Sequence, residues 1–333
     1  MKNKFLLIGF LLIVSLFVFL NFRVYKSYVQ QQTILYEINK GTYDYLEFID
    51  EMEVDFPNIS VTSMSMRSVK ARYLIRDDKL DEALDLLNTI EYDPLKMSEV
   101  QKAEIYYSKA DLAKMFNSAR EAWKSLPLNQ GHLIWYLKSL NNFRDNEEII
   151  EIYNQYKNRV SSPDWLYFYF SAAFNIVDDN YRELIKTQAL EILHLFGGED
   201  ERLNTVLFYI IFGREEYKES IRLSEKAFEM FSKSDFQNAA ENYQKAIDLF
   251  SINPDNHYNR MAALFQLNKH SEILETYELL PDSINPKNGK FEFLVGRSYL
   301  NFKDTIKACE FFNISKNYNN QPSIRYFDTL CLN

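Results

Sequence analysis

The chain has 333 residues, of which 47% are hydrophobic, 16% aromatic and 26% charged. It is long enough to bury a substantial core and, by length alone, to form two domains. The net charge is −9, and since the first 26 residues carry four basic and no acidic side chains, the remainder carries −13. Phosphate backbones repel so acidic a body, which argues against nucleic acid as a partner.

The first predicted element is an apolar run from Phe5 to Phe22 that contains no charged residue. Its length suits a helix that crosses a bilayer. A cleaved signal peptide has a shorter apolar core followed by small residues, whereas Asn21-Phe22-Arg23-Val24-Tyr25 follows here, so an uncleaved anchor is favoured over a signal peptide. We predict that residues 1–26 form a transmembrane anchor with its flanks, and that residues 5–22 contact the membrane.

Basic residues on both sides of this run bear on its orientation. Lys2, Lys4 and the amino terminus precede it, and Arg23 and Lys26 follow it. This gives a slight bias toward a cytoplasmic amino terminus. The prediction is a single-pass inner-membrane protein whose soluble body lies in the periplasm.

Residues 27–63 form the next segment, predicted as a membrane-proximal helical stalk. The stretch from Ser27 to Glu51 has a helical composition, with Gly41 as a possible break. A short coiled coil is the alternative, but the heptads are too few to decide.

Helices are predicted throughout residues 64–213, because the whole chain holds only eight Gly and eight Pro. The breaks fall at Pro94, Pro127, Pro163, Gly197-Gly198 and Gly213, which leaves segments of about one helical hairpin each.

The last third of the chain repeats a set of small and aromatic residues at a spacing of 34 or 35. Two rows are small or branched and two are large. The rows are Ala227, Ala262 and Gly296; Ala239, Ile273 and Ala308; Met230, Phe265 and Tyr299; and Tyr243, Tyr277 and Phe312.

This pattern resembles the tetratricopeptide repeat, a hairpin of two antiparallel helices with small residues where the helices cross. The resemblance implies an all-α fold: a TPR-like α-solenoid preceded by a single N-terminal transmembrane helix. Residues 214–333 are predicted as a regular array with a capping helix from Ser323 to Leu332. Because Tyr217 to Ser234 lacks Gly and Pro, one helix there is expected to serve two repeats.

Residues 64–213 are predicted as degenerate repeats of the same kind, with a generic helical solenoid as the alternative. Three segments keep the internal offsets of the family, and around Ala119, Trp123 and Leu126 only a second helix is clear. The offset-keeping residues are Ala71, Leu74, Ala83, Leu87 and Ile90; Leu137, Leu140, Ile149, Tyr153 and Tyr156; and Ala173, Ile176, Ile185, Ala189 and Ile192.

Little in the sequence indicates chemistry. The four His are scattered without metal-ligand spacing, and His270 stands at an aromatic position of the repeat, where packing explains it. The pairs Asp77-Asp78 and Asp178-Asp179 precede predicted helices and are interpreted as caps. Cys309 and Cys331 are interpreted as small buried residues, with a disulfide between repeat and cap as the alternative. No catalytic residue, cofactor, metal or small-molecule substrate is predicted.

In proteins of the tetratricopeptide family, the first helices of successive repeats line a concave surface that binds other proteins. The resemblance therefore implies a partner-binding groove. Co-chaperone members hold a peptide carboxylate with a Lys and an Asn, but Ser224 and Phe228 stand at those positions. The groove residues carried over by position are Phe228, Phe231, Asn259, Gln266, Phe293 and Arg297.

These features favour a membrane-anchored scaffold for protein–protein interactions in the assembly of a bacterial cell-envelope complex, with membrane or envelope subunits as partners. The architecture is similar to that of repeat proteins around the periplasmic flagellar motor, so a collar component of that motor is one member of this class. The alternatives are a membrane-tethered chaperone or assembly factor for exported proteins, and an enzyme with an unrecognised site in residues 64–213.

Overall fold

The N-terminal helix is continuous well beyond the apolar run. The computed structural model describes residues 2–41, 46–56, 58–60, 62–160, 162–196, 200–281 and 284–332. Helix α1 spans Lys2–Lys40, and it contains a segment that is long and apolar enough to cross a membrane and is not buried. The helix ends where Gly41 adopts φ +70°, a left-handed conformation open to glycine, so the predicted break at this residue is confirmed.

The segment predicted as a stalk packs into the body. Its residues 42–45, 57 and 61 lie outside the described part of the chain. Ile34 of α1 has no solvent-exposed surface, and it shares a core cluster with Ile49 of α2 (Leu46–Glu51), Met52 and Ala71. The distal half of α1 is therefore part of the first hairpin's core.

Helical hairpins follow along the rest of the first compact unit, Met1–Leu203. Successive helices alternate between first and second members of a hairpin. They are α3 (Met66–Arg76) with α4 (Leu80–Asn88), α5 (Met97–Ser108) with α6 (Leu112–Ser125), α7 (Gln130–Phe143) with α8 (Asn146–Tyr156), and α9 (Pro163–Ala173) with α10 (Asp179–Phe196).

Most residues of the weakened repeat rows of this unit are buried as predicted, whereas Ile90 and Leu126 are only half-buried. Both helices of the α5–α6 hairpin form, although the sequence indicated only the second. The predicted break at Gly197-Gly198 lies outside the described residues. The buried row residues are Ala71, Leu74, Ala83, Leu87, Ala119, Trp123, Leu137, Leu140, Ile149, Tyr153, Tyr156, Ala173, Ile176, Ile185, Ala189 and Ile192.

The second unit, Asn204–Asn333, begins inside helix α11 (Glu201–Phe212). Three hairpins and a final helix follow. They are α12 (Arg214–Ser232) with α13 (Phe236–Leu249), α14 (Pro254–Gln266) with α15 (His270–Glu278), α16 (Lys290–Asn301) with α17 (Thr305–Asn317), and the capping helix α18 (Gln321–Leu330). Helix α12 runs unbroken, as the absence of Gly and Pro predicted.

Gly213 separates α11 from α12. Its φ of +96° and ψ of 143° lie in a region that residues with a Cβ rarely adopt. The predicted break at this residue is confirmed.

The packing rows of the regular array are largely buried, with Met230, Phe265, Tyr277 and Tyr299 half-buried. Ala227, Ala239, Ile273, Ala308 and Phe312 have no exposed surface. In the first row, Ala262 is only half-buried, and its neighbour Ala263 takes the fully buried place.

Gly296 shows why this row needs small residues. A Cβ added there would lie 2.7 Å from Cε1 of Phe312, so any larger side chain displaces that ring. Helices α16 and α17 therefore cross at a distance that only glycine permits without adjustment.

One turn geometry recurs in every hairpin except α9–α10. One residue in each turn adopts a left-handed conformation with φ between 55° and 63°; it is the C-cap Arg144 in α7–α8 and the residue after the C-cap in the others. The next N–H then bonds the carbonyl five residues earlier at 2.8 to 3.0 Å, which is the Schellman motif. The left-handed residues are Asp78, Ala110, Arg144, Ser234, Asn268 and Lys303.

The residue after the left-handed position begins the second helix. In four turns it is an aspartate whose carboxylate accepts the N–H three residues later, and in two it is Lys79 or Lys269 without a side-chain cap. The four are Asp111, Asp145, Asp235 and Asp304. The capping role predicted for Asp77-Asp78 is wrong, because Asp78 is the left-handed turn residue and Asp77 pairs with Lys79. The capping role predicted for Asp178 is confirmed, since its carboxylate accepts a hydrogen bond from the N–H of Asn180 at 2.9 Å.

The two cysteines are joined. Cys309 of α17 and Cys331, the C-cap of α18, form a disulfide with a Cα–Cα distance of 5.7 Å. Their interpretation as unbonded buried residues is therefore wrong, because packing of α18 against α17 brings the two positions within bonding reach. The predicted capping helix is confirmed, and Ser323 at its start is fully buried.

Candidate partner-binding surface

The predicted groove residues occupy defined offsets from the buried small residue of each first helix. Phe228 and Arg297 come one position after Ala227 and Gly296, and Phe231 comes four positions after Ala227. Helical geometry places a residue at +1 about 100° around the axis from the buried one, at the edge of the packed face. The offset alone does not decide whether the side chain is accessible.

The structure leaves some of these residues open and packs others. Phe228 is 62% exposed, and Gln266 is also exposed. Asn259 is half-buried. Phe231 lies in the last turn of α12, where its ring meets that of Phe236 edge to face with centroids 5.2 Å apart.

Phe293 and Arg297 belong to an aromatic cluster at the end of the array. The guanidinium of Arg297 lies 4.4 Å from the ring centroid of Phe265 and 5.9 Å from those of Phe293 and Tyr326. These rings come from α14, α16 and α18, so Arg297 ties three helices together through cation–π contacts. Its replacement would therefore disturb packing as well as any binding.

Ser224, which stands where co-chaperone members have the Lys of their carboxylate clamp, makes a different polar contact. The Oγ of Ser224 lies 2.7 Å from Oδ1 of Asn256, which is 2% exposed. Ser224 is thus engaged with the next hairpin, where a clamp would need a free cationic side chain.

A second charged and aromatic surface lies on the first unit, which the sequence did not indicate. The Nζ of Lys138 on α7 is 3.5 Å from the ring centroid of Tyr107 on α5 and 4.7 Å from that of Trp135. The two rings meet edge to face with centroids 6.0 Å apart. Tyr107 remains 40% exposed, so the surface is open to solvent.

Charges line this surface on neighbouring helices. Burial raises the pKa of the Glu104 carboxyl, while the positive charges of Arg72 and Lys138 act to lower it. The three residues lie on α3, α5 and α7 and alternate in sign along the array. A partner that offers both charged and aromatic groups matches such a surface.

The position of these charged residues relative to the buried rows could have predicted this surface. Arg72, Glu104 and Lys138 each follow a buried row residue by one position, as Phe228 and Arg297 do. Ala103, which has no exposed surface, supplies the small residue that was missed in α5. Carrying the +1 offset into the degenerate repeats would have found the surface.

His132 and His270 serve local packing and hydrogen bonding. His132 is fully buried, and its Nε2 lies 2.8 Å from the carbonyl oxygen of Leu95. His270 packs against Phe265 with centroids 5.2 Å apart, which supports the packing interpretation. Among the described residues, no cluster of three or more His, Cys, Asp and Glu side chains is placed to hold a metal ion.

Comparison with known proteins gives structural similarities alone. No family model and no curated protein matches the chain. Similar solved structures include a tetratricopeptide repeat protein from Parabacteroides merdae, with 13% identity over 80% of this chain and 98% of that one and a TM-score of 0.35. Others are the P58(IPK) TPR domain (14% identity, 80% and 77%, TM-score 0.35) and the TPR2AB domain of yeast Sti1 with pHSP90 (17% identity, 79% and 95%, TM-score 0.29).

At such TM-scores the superpositions carry no argument, so the class of the protein rests on its own helices. Their order, the buried 34-residue rows and the recurring turn define an all-α solenoid of TPR-like hairpins. It is preceded by one N-terminal helix that is long and apolar enough to span a membrane.

Proposed function

We propose that this chain is a membrane-anchored scaffold that binds other proteins through the first helices of its hairpins. The observation that carries the proposal is the exposure of aromatic side chains on those helices. Phe228 is 62% and Tyr107 40% exposed, whereas the large row residues of the repeats are buried or half-buried. Covering an exposed aromatic ring with a partner recovers free energy, at roughly 25 cal/mol per Å² of apolar surface.

The N-terminal helix supports the anchor in this proposal. Helix α1 continues without a break from the apolar run into the core at Ile34. Cleavage near residue 25, as for a signal peptide, would remove Arg23, whose guanidinium pairs with Glu53 at 3.0 Å. An uncleaved helix keeps this contact.

The disulfide supports an extracytoplasmic body. Disulfides persist in oxidising compartments such as the periplasm and are rare in the cytoplasm. The bond between Cys309 and Cys331 therefore agrees with a single-pass inner-membrane protein whose body is periplasmic. Partners in that location are subunits of membrane or envelope complexes, and no contact of the described residues selects a flagellar motor among these.

Site-specific photocrosslinking in the native cell tests the binding surface. A benzophenone amino acid replaces Phe228 or Tyr107, and matched controls carry it at the exposed Leu279 and Tyr92 outside the first helices. A fixed set of envelope proteins crosslinked from the first pair and absent from the controls is expected. Equal yields from all four positions would contradict the surface, and a broad pool of exported proteins would indicate a chaperone.

A further inference from the structure

Glu53 joins the end of the apolar run to the body through several hydrogen bonds. Its carboxylate accepts hydrogen bonds from Arg23 and Lys26, each at 3.0 Å. Its backbone exchanges two more with the side chain of Gln30, from Nε2 to the carbonyl oxygen at 2.7 Å and from the N–H to Oε1 at 3.1 Å. Gln30 is 4% exposed, so this contact is shielded from water.

The location of these partners fixes the depth of Glu53 relative to the apolar run. Arg23 directly follows Phe22, where the run ends, and Lys26 lies one turn further. At 1.5 Å per residue, both Cα atoms are within about 6 Å of the end of the run along the helix axis. A loop bonded to both side chains therefore lies at the level where α1 would leave the hydrocarbon.

Phe56 is held at the same level. The guanidinium carbon of Arg23 lies 4.7 Å from the Phe56 ring centroid, and Phe56 is 40% exposed. On the other sides of α1, Phe22, Tyr25 and Tyr28 are 63%, 66% and 59% exposed. Aromatic rings at this level are typical of the membrane–water interface.

We propose that Phe56 is a second membrane contact, inserted at the boundary between the phospholipid headgroups and the acyl chains. The inference rests on the proposed anchor. The basic groups near Phe56 are already paired, Arg23 and Lys26 with Glu53 and Arg67 with Asp55. Partition of the aromatic ring therefore drives the contact, which does not require anionic lipid.

Nitroxide labels measure the depth directly in the full chain reconstituted into phosphatidylcholine vesicles. The single variants are Phe56→Cys, Phe17→Cys within the apolar run, and Tyr92→Cys as an exposed body control. The bonded Cys309 and Cys331 stay unlabelled without reductant. Power saturation with oxygen and a water-soluble nickel chelate then reports whether each label lies in lipid or in water.

We expect the label at position 17 to lie at the depth of the acyl chains and the label at position 56 at the depth of the headgroups. The label at position 92 should be fully accessible to the nickel chelate. Adding Glu53→Ala should shift the position-56 label toward the nickel access of position 92, whereas Glu51→Ala, a neighbouring exposed carboxylate, should not. A deep label at 17 with an aqueous label at 56 overturns this inference and leaves the anchor intact. An aqueous label at 17 overturns both, and a position-56 depth that appears only with anionic lipid overturns the aromatic mechanism.

Discussion

The left-handed turn residues carry a local cost that the rest of each hairpin compensates. In most turns a side chain with a Cβ adopts the αL conformation, which costs roughly 1–2 kcal/mol relative to the right-handed region. The Schellman hydrogen bond and the packing of the two helices hold the turn in place. Glycine at such a position should therefore stabilise the protein.

Lys303→Gly tests this at an exposed turn position with φ 63°. The free energy of unfolding should rise by about 0.5–1 kcal/mol, because glycine removes the Cβ clash. Lys226→Gly, at an exposed position inside α12, is the matched control and should lower it by about 1 kcal/mol. Denaturant titration measures both, and destabilisation by Lys303→Gly would contradict the left-handed turn.

The buried His132 makes stability depend on pH. Burial lowers its pKa below the ordinary value of 6.5, against a smaller opposing effect of the Leu95 carbonyl. The unfolded chain therefore takes up a proton first as pH falls. The stabilising contribution is complete above about pH 6.5 and is lost as pH falls toward the lowered pKa, at up to about 1.4 kcal/mol per pH unit for one proton.

Unfolding free energies between pH 5.5 and 7.5 test this. They should fall with decreasing pH. His132→Gln should reduce the change in unfolding free energy per pH unit by up to about 1.4 kcal/mol, the contribution of one proton. His257 and His270, whose pKa values burial also lowers, account for a remaining slope of the same sign. Identical slopes in wild type and variant would show that His132 is not protected from protonation.

Single residues also show where sequence-based prediction succeeds and where it stops. The rows were predictable because small residues at a helix crossing recur with the repeat. The turns were not, since their usual marker is glycine and the chain uses Ala110, Arg144 and Lys303 instead. Glu292 is 1% exposed and accepts hydrogen bonds from Tyr277 and Asn285, and no local pattern distinguishes such a buried carboxylate from a helix-start residue in water.

At the scale of helices, the disulfide fastens the capping helix to the last hairpin. The bonded residues are separated by 22 positions. Closing a loop of that length restricts the unfolded chain and stabilises the folded state by roughly 3 kcal/mol in the chain-entropy model. The resemblance to a capped array predicted helix α18. Whether the two cysteines are bonded could not be predicted, because it depends on how α18 packs against α17.

Replacing both Cys309 and Cys331 by Ser should lower the unfolding free energy of the second unit by about that amount. Amide exchange in α18 should accelerate first, because the helix packs mainly on α17. Dithiothreitol should destabilise the wild type and leave the double variant unchanged. Two free thiols in unreduced wild-type protein would contradict the bond.

For the whole molecule, the boundary between the apolar segment and the body lies inside α1. The sequence separated an anchor, a stalk and a solenoid because hydropathy changes at Arg23. It could not show that the distal half of α1 enters the core, since the partners of Ile34 lie on segments distant in sequence.

Two truncations test this division. A chain that begins at Ser27 should be soluble and fully helical, since it keeps Gln30 and Ile34 and loses the apolar run. A chain that begins at Gly41 should lose about 2–5 kcal/mol of stability in the first unit, because a cavity replaces Ile34. Circular dichroism melts compare the two, and the full chain should resist alkaline extraction from membranes. Equal melting temperatures would show that α1 contributes nothing to the core.

The unbroken course of α1 also has a mechanical consequence. No hinge separates Phe22 from the buried Ile34, and Glu53 grips the helix between them. A rotation of the apolar segment about its own axis would therefore rotate the first hairpin through the same angle. If a neighbouring membrane helix packed against one face of the apolar segment, that choice of face would decide which side of the first hairpin faced the neighbour.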